Sequence, residues 1–233
     1  MWNEIQRRLI SFCSHPRATL AYRTKPFVVP HLQRWHHHRL SREVALDFLS
    51  KRPPNAIPHD FSDLWFLYRT VRLKRPRIVL EFGSGCSTVV IAQALYDNNQ
   101  RHPGQTGYLY SIDDQRYWAD VTTATISPSL RTVCEVWTSP TLAIEYKGIP
   151  CLRHSNLPDI VPDMIYLDGP TFTTPERKIA IDILDMEEKL RLGFFAIIDG
   201  RQENTMFLRN HLRRHFTFRY RIWYNNTVVT LVC

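Results

Sequence analysis

No uncharged apolar run in this 233-residue chain approaches the roughly 20 residues needed to cross a bilayer; the longest are of the order of Phe194 to Ile198. A transmembrane helix is therefore not predicted. Arg7 and Arg8 flank Leu9, Ile10 and Phe12 near the start, but no sustained apolar core and small-residue cleavage site follow. The stretch does not read as a secretory signal, and an Arg-rich transit peptide is its competing reading. The five cysteines are odd in number and include no Cys-x-x-Cys pair, which argues against a disulfide framework and a cysteine zinc site and favours a reducing cytoplasm. Internal repeats and low-complexity segments are also missing. His36, His37 and His38 are adjacent, so on a helix they diverge and make a poor shared metal site.

What remains is an ordinary globular composition, 44% hydrophobic and 12% aromatic, long enough for one α/β domain with an added element. Its charge is uneven. Residues 1–77 hold 15 Lys/Arg against 5 Asp/Glu, whereas residues 78–233 hold 15 against 17. The basic character thus belongs to the first third.

Trp2 to Phe12 and Ser41 to Ser50 suggest helices, with Pro16, Pro26 and Pro30 expected to break anything longer between them. Phe61, Leu64, Trp65, Tyr68 and Val71 recur at helical spacing. From Arg77 short apolar runs alternate with helical patterns: Ile78–Phe82, Tyr108–Ile112, Arg131–Trp137, Met164–Leu167 and Phe194–Ile198 read as strands. Helices are expected near 88–96, 115–124, 204–214 and 174–191, the last capped by Thr174 with Pro175 at its first position. Two more strands, Thr217–Tyr224 and Thr227–Val232, meet at Asn225-Asn226. Lys147-Gly148 marks a small hairpin inserted within 142–154. The pattern predicts an α/β fold: a Rossmann-like three-layer sandwich with a seven-stranded, mainly parallel sheet, a C-terminal antiparallel hairpin and an N-terminal helical extension.

Chemistry concentrates at strand ends. Glu81-Phe82-Gly83-Ser84-Gly85-Cys86-Ser87-Thr88 places glycines between a strand and a helix start, where the backbone can turn sharply and free N–H groups face a ligand. A dinucleotide loop needs G-x-G-x-x-G, but Thr88 occupies the last position, where its side chain is expected to crowd a pyrophosphate. The second strand ends in Ser111-Ile112-Asp113-Asp114, the fourth in Asp168-Gly169-Pro170 and the fifth in Asp199-Gly200. Four strand ends thereby present Glu81, Asp113, Asp168 and Asp199 toward the edge where open parallel sheets bind ligands.

The ordered set resembles class I S-adenosylmethionine-dependent methyltransferases, whose first motif is an acidic residue followed by G-x-G-x-G; Ser87 replaces the last glycine here. The resemblance covers about residues 60–233, leaving 1–59 as a basic helical extension or lid. It implies cofactor contacts from Glu81, Phe82, Gly83, Ser84, Gly85, Ser87 and Thr88, with Asp113 at the ribose, Asp114 capping the next helix or lining the adenine side, and Asp168 near the methyl group. Asp168 is the leading catalytic base, His154 the second candidate. The Asp-Gly endings are similar to the branch that O-methylates small molecules, including sugars. Some of those enzymes hold Mg²⁺ with an aspartate after the fourth strand and an Asp-Asn pair after the fifth. Asp168 and Asp199 match that pair of carboxylates, and Gly200 replaces the asparagine.

The competing reading is a nucleic-acid-binding or RNA-modifying protein whose Arg34, Arg39, Arg42, Lys51 and Arg52 track phosphates while Trp35 stacks. A third is peripheral attachment to an anionic membrane through Trp2, Ile5, Leu9 and Phe12.

Overall fold

The computed structural model describes residues 16–171 and 178–233, with the backbone alone for 16–26. Helix α1 spans Pro16–Leu40 and α2 Phe61–Lys74, with a 3₁₀ turn at Asp47–Lys51 between them. Then follow β1 (Ile78–Phe82), α3 (Cys86–Arg101), β2 (Tyr108–Asp113), α4 (Arg116–Thr125), β3 (Cys134–Thr138), β4 (Thr141–Tyr146), β5 (Ile149–His154) and β6 (Met164–Leu167). The chain closes with α5 (Asp182–Met186), β7 (Phe195–Asp199), α6 (Gln202–His211), β8 (Phe216–Arg221) and β9 (Asn226–Leu231).

Seven strands form one sheet in the order β3-β2-β1-β6-β7-β9-β8; β4 and β5 pair separately. Pairing is parallel from β3 through β7, and β9 runs antiparallel to both its neighbours. The Rossmann-like sheet and terminal hairpin expected from the sequence are therefore present. Asn225 supplies the left-handed residue of that hairpin, with φ 48°, while Asn226 is the buried first residue of β9, opposite Asp199. Lys147 and Gly148, at φ 52° and 79°, make the predicted turn of the inserted hairpin.

Strand alternation sorts the core into two faces. Val79, Leu109, Met164, Tyr166 and Ile197 pack with α2, α3 and the α1 end; Leu80, Phe82, Ile112, Ile165 and Ile198 pack with α5 and α6. Burying each such side chain stabilises the fold by about 1.5–3 kcal/mol. By the same alternation Glu81, Asp113 and Asp199 fall on the first face. Helix α2 crosses it after Asp60, whose carboxylate accepts from the Ser62 and Asp63 N–H groups at 2.6 and 3.2 Å, and ends at left-handed Arg75, just before Pro76.

Three expectations are corrected. Pro26 and Pro30 do not break the first helix, which runs 25 residues through both. Proline lacks the donor to residue i−4, but its fixed φ is helical, and spacing of four confines both missing bonds to one side. Residues 41–50 do not form an α-helix: turns and the 3₁₀ segment bend the chain so that Leu40, Val44 and Phe48, at 0, 3 and 3% exposure, all enter the core. Of the helix expected over 174–191, the described residues 178–191 show only Asp182–Met186 and a 3₁₀ turn at Glu187–Lys189. Residues 179–181 instead give their backbone to β5, Ile179 O accepting from Leu152 N and Ile181 N donating to Leu152 O, and Asn204 brackets Ala180 from both sides. Thr174 and Pro175, like the Trp2 to Phe12 pattern, lie outside the described residues.

Candidate functional site

The chain diverges from β1 in both directions, to β2 on one side and β6 on the other, so the topological switch point lies between β1 and β6. There the Gly83 and Gly169 turns touch. A Cβ on Gly83 would lie 2.6 Å from Gly169 N, and one on Gly169 2.5 Å from Gly83 N. Only hydrogen fits at either position. The Phe82 carbonyl binds the turn across this seam, accepting from Asp168 N at 3.0 Å and Gly169 N, while the Phe82 ring points to the opposite face.

On the β1–β2 side every carboxylate is engaged. Glu81 is fully buried, and its Oε2 accepts from the hydroxyls of Thr88 and Ser111, both at 2.6 Å. Burial pushes its pKa up to about 7 against the pull of Ser111, Ser87 and Thr88, with Asp168 adding to the rise. Glu81 Oε1 is buried with no hydrogen-bond partner among the described residues. Thr88 also accepts from Gly85 N at 2.9 Å, tying the loop to the strand beneath it. Asp113 Oδ2 accepts from Ser84 N and Ser84 Oγ at 3.0 and 2.6 Å, and its Oδ1 from Gln115 N at 2.9 Å. Asp114 is half-buried, with Oδ1 accepting from Thr171 N at 3.1 Å.

Thr88 thus does not crowd the loop mouth as expected: it is fully buried, turned toward Glu81. The group that opposes a pyrophosphate is the row of carboxylates itself. Ser111, which the sequence reading passed over, stands beside Glu81 in the parallel register, as Tyr166 does on the other side. A polar residue in a buried strand was the available signal.

The β6–β7 side is only partly relieved electrostatically. Asp168 opens to solvent at its surface, yet protein crowds the rest of it and raises its pKa, opposed by the charge of Arg201. Asp199 is pushed up to about 7 by burial and then by Asp168, against a 3.1 Å hydrogen bond from Tyr166 Oη. Asp60, ahead of α2, adds to the rise at Asp199, and Arg52 opposes the rise at Cys86 at the start of α3, so charges of the segment before α2 are felt at this edge. Arg201 donates from Nε to Asp168 O at 2.9 Å and from Nη2 to Pro170 O at 2.8 Å. Sequence reasoning missed Arg201.

No protein-family model matches the chain, and no curated protein sequence does. Solved structures do resemble it. An O-methyltransferase, TomG of Streptomyces achromogenes, involved in tomaymycin synthesis and crystallised with S-adenosylmethionine, is 16% identical over 83% of this chain and 88% of its own, with a TM-score of 0.46. An O-methyltransferase from Bacillus cereus in complex with S-adenosylhomocysteine is 16% identical over 83% and 90%, TM-score 0.48. The S-adenosylhomocysteine-bound methyltransferase PaMTH1 of Podospora anserina is 12% identical over 99% and 96%, TM-score 0.47. Likeness at this level leaves the chemistry of the site to its own geometry.

His154 is not brought to the carboxylates. It is 4% exposed and stacks on the Phe82 ring at 4.9 Å, on the face opposite Glu81, Asp113 and Asp199. Its Nδ1 lies 3.0 Å from Asp182 Oδ2, and Asp182 Oδ1 accepts from His154 N at 2.9 Å. The pair fastens the inserted hairpin to α5.

A divalent cation fits this edge poorly. Among the described residues no group of three or more His, Cys, Asp or Glu could hold one. Asp168 and Asp199 offer two carboxylates where Mg²⁺ prefers six oxygens in an octahedron, and a guanidinium already sits beside them. The basic residues before α2 are partly engaged: Arg39 lies over the Trp35 ring at 5.1 Å, Lys51 pairs with Asp47 at 3.4 Å, and Arg52 donates to Ile57 O and meets His59. Among the described residues no helix is long and apolar enough to cross a membrane.

Proposed function

We propose that the chain is a class I S-adenosylmethionine-dependent methyltransferase acting on a hydroxyl of a small molecule or sugar. The observation that carries this reading is the seam of Gly83 against Gly169 at the switch point, flanked by carboxylates on one face. An acidic edge suits a cofactor bearing a sulfonium and an ammonium and repels a dinucleotide pyrophosphate. Glu81, Phe82, Gly83, Ser84, Gly85, Ser87 and Thr88 would build the cofactor cradle, chiefly through backbone. Glu81 Oε1, without a hydrogen-bond partner among the described residues, would lie beneath it, and Asp113 would take the ribose with Asp114 toward the adenine. When bound, S-adenosylmethionine supplies an electrophilic methyl group, so the protein's task is to position the acceptor and exclude water.

Asp168 is the base in this reading. Its raised pKa strengthens it as a proton acceptor, and it is the carboxylate open to an acceptor hydroxyl. Of residues 1–59, the stretch just ahead of α2 would cover the acceptor, while Leu40, Val44 and Phe48 root the segment before it in the core. Calorimetry tests the proposal: S-adenosylhomocysteine should bind and NAD should not. Binding of NAD with no response to the sulfur nucleoside would overturn it.

A further inference from the structure

We infer that Arg201 supplies the positive charge at the Asp168 and Asp199 carboxylates that a divalent cation would otherwise provide, making this edge metal-independent. The inference rests on reading those carboxylates as the acceptor side of a methyltransferase site. Three observations meet there. The position that would carry a third oxygen ligand is Gly200, which has no side chain and holds φ 59°. The next residue, Arg201, is anchored by hydrogen bonds to the Asp168 and Pro170 carbonyls, fixing its guanidinium between the ends of β6 and β7. Its charge acts on three carboxylates, Asp168, Asp199 and Asp114, which converge from three strand ends.

A guanidinium has a fixed planar fork and stays charged at any working pH, so it can compensate clustered carboxylates without the octahedral oxygen set that Mg²⁺ demands. Placed where it is, it also repels an arriving cation. Arg201 is therefore a positioning residue: it holds the Gly169-Pro170 turn and offsets the charge of the carboxylates without touching the reacting atoms. The bland alternative is that it only ties down the turn, in which case its charge would be immaterial to cation binding.

Mn²⁺ titration of the full chain, followed by the electron paramagnetic resonance signal of the free ion, separates the two. Wild type should bind no Mn²⁺ up to about 1 mM, a range in which oxygen-ligand sites ordinarily fill. Arg201→Met should acquire a site that Asp199→Asn, added to it, abolishes; Arg201→Gln should behave alike and serves if the first variant does not fold. Arg201→Lys, which loses the fork but keeps the charge, should acquire none. Mn²⁺ binding by wild type that Asp199→Asn removes would overturn the inference, as would a folded, uncharged Arg201 variant that gains no binding. Calorimetry with S-adenosylhomocysteine on the same samples keeps the two readings apart: a wild type that fails to bind the nucleoside sinks the methyltransferase proposal and leaves the cation result standing.

Discussion

The two halves of the sheet edge treat their carboxylates in opposite ways. Between β1 and β2, Glu81 and Asp113 are held by hydroxyls and backbone N–H groups, and those bonds draw the glycine loop onto the strands. Between β6 and β7, Asp168 and Asp199 repel each other, with Tyr166 and Arg201 as partial relief. A cradle that is bonded before a ligand arrives pays little reorganisation on binding. A pair of crowded carboxylates is the setting in which a pKa rises toward the range of a general base. Under the proposed function, cofactor holding would fall to the first half and acceptor chemistry to the second.

The largest effect should come from the cover both halves share. Leu40, Val44 and Phe48 are in the same core as Leu64, Val71 and Val79, and each loss of such a side chain costs about 2–5 kcal/mol. Deleting residues 1–50 should leave an insoluble or unfolded chain, whereas deleting 1–26 should leave one that unfolds cooperatively in urea. A well-folded 51–233 fragment would show that the N-terminal segment is a lid laid on a self-sufficient core.

Asp113→Ala comes next. It removes a charged acceptor used by three donors, and S-adenosylhomocysteine binding should weaken by about 1.5–3 kcal/mol, measured by calorimetry. Asp114→Ala should change it less. The reverse order would transfer the ribose contact to Asp114 and leave Asp113 as the clamp of the Ser84 turn. At the seam between the halves, Gly169→Ala must displace the Gly83 backbone and should cost about 1–3 kcal/mol in urea unfolding; a neutral result would mean the two turns part easily.

The four strand-end carboxylates were legible because each lies within one residue of the C-terminal end of a buried parallel strand, which puts it at the ligand edge whatever the rest of the fold does. The sheet and its hairpin were legible from periodicity for the same local reason. Arg201 was not, because nothing in Asp199-Gly200-Arg201 says which way the side chain folds back; its hydrogen bonds are to residues more than 30 positions away. His154 was misplaced on similar grounds: the docking of β5 against residues 179–181 decides which face it occupies, and that is a tertiary fact. Pro26 and Pro30 misled because a proline's cost to a helix depends on where its missing bonds fall.

The subtlest test of the contrast is in pH. Asp199 and Glu81 are both raised to about 7 in the folded protein, above their ordinary carboxylate values of roughly 4 in the unfolded chain. Between those limits each of these two groups binds more proton in the folded state than in the unfolded one, so their contribution to stability falls as pH rises from about 4 to about 7 and levels off above it. Asp199→Asn removes one ionisable group and relieves the repulsion on Asp168, while Glu81 keeps its own share. The variant should therefore match or slightly trail wild type at pH 4, exceed it at pH 8 by on the order of 1 kcal/mol, and retain a shallower slope between them in urea titrations. Glu81→Gln should flatten the slope too, but it also exchanges a carboxylate that accepts from Thr88 and Ser111 for an amide, so its gain at pH 8 should be smaller. Equal gains from the two substitutions would erase the distinction between a bonded half and a partly relieved one.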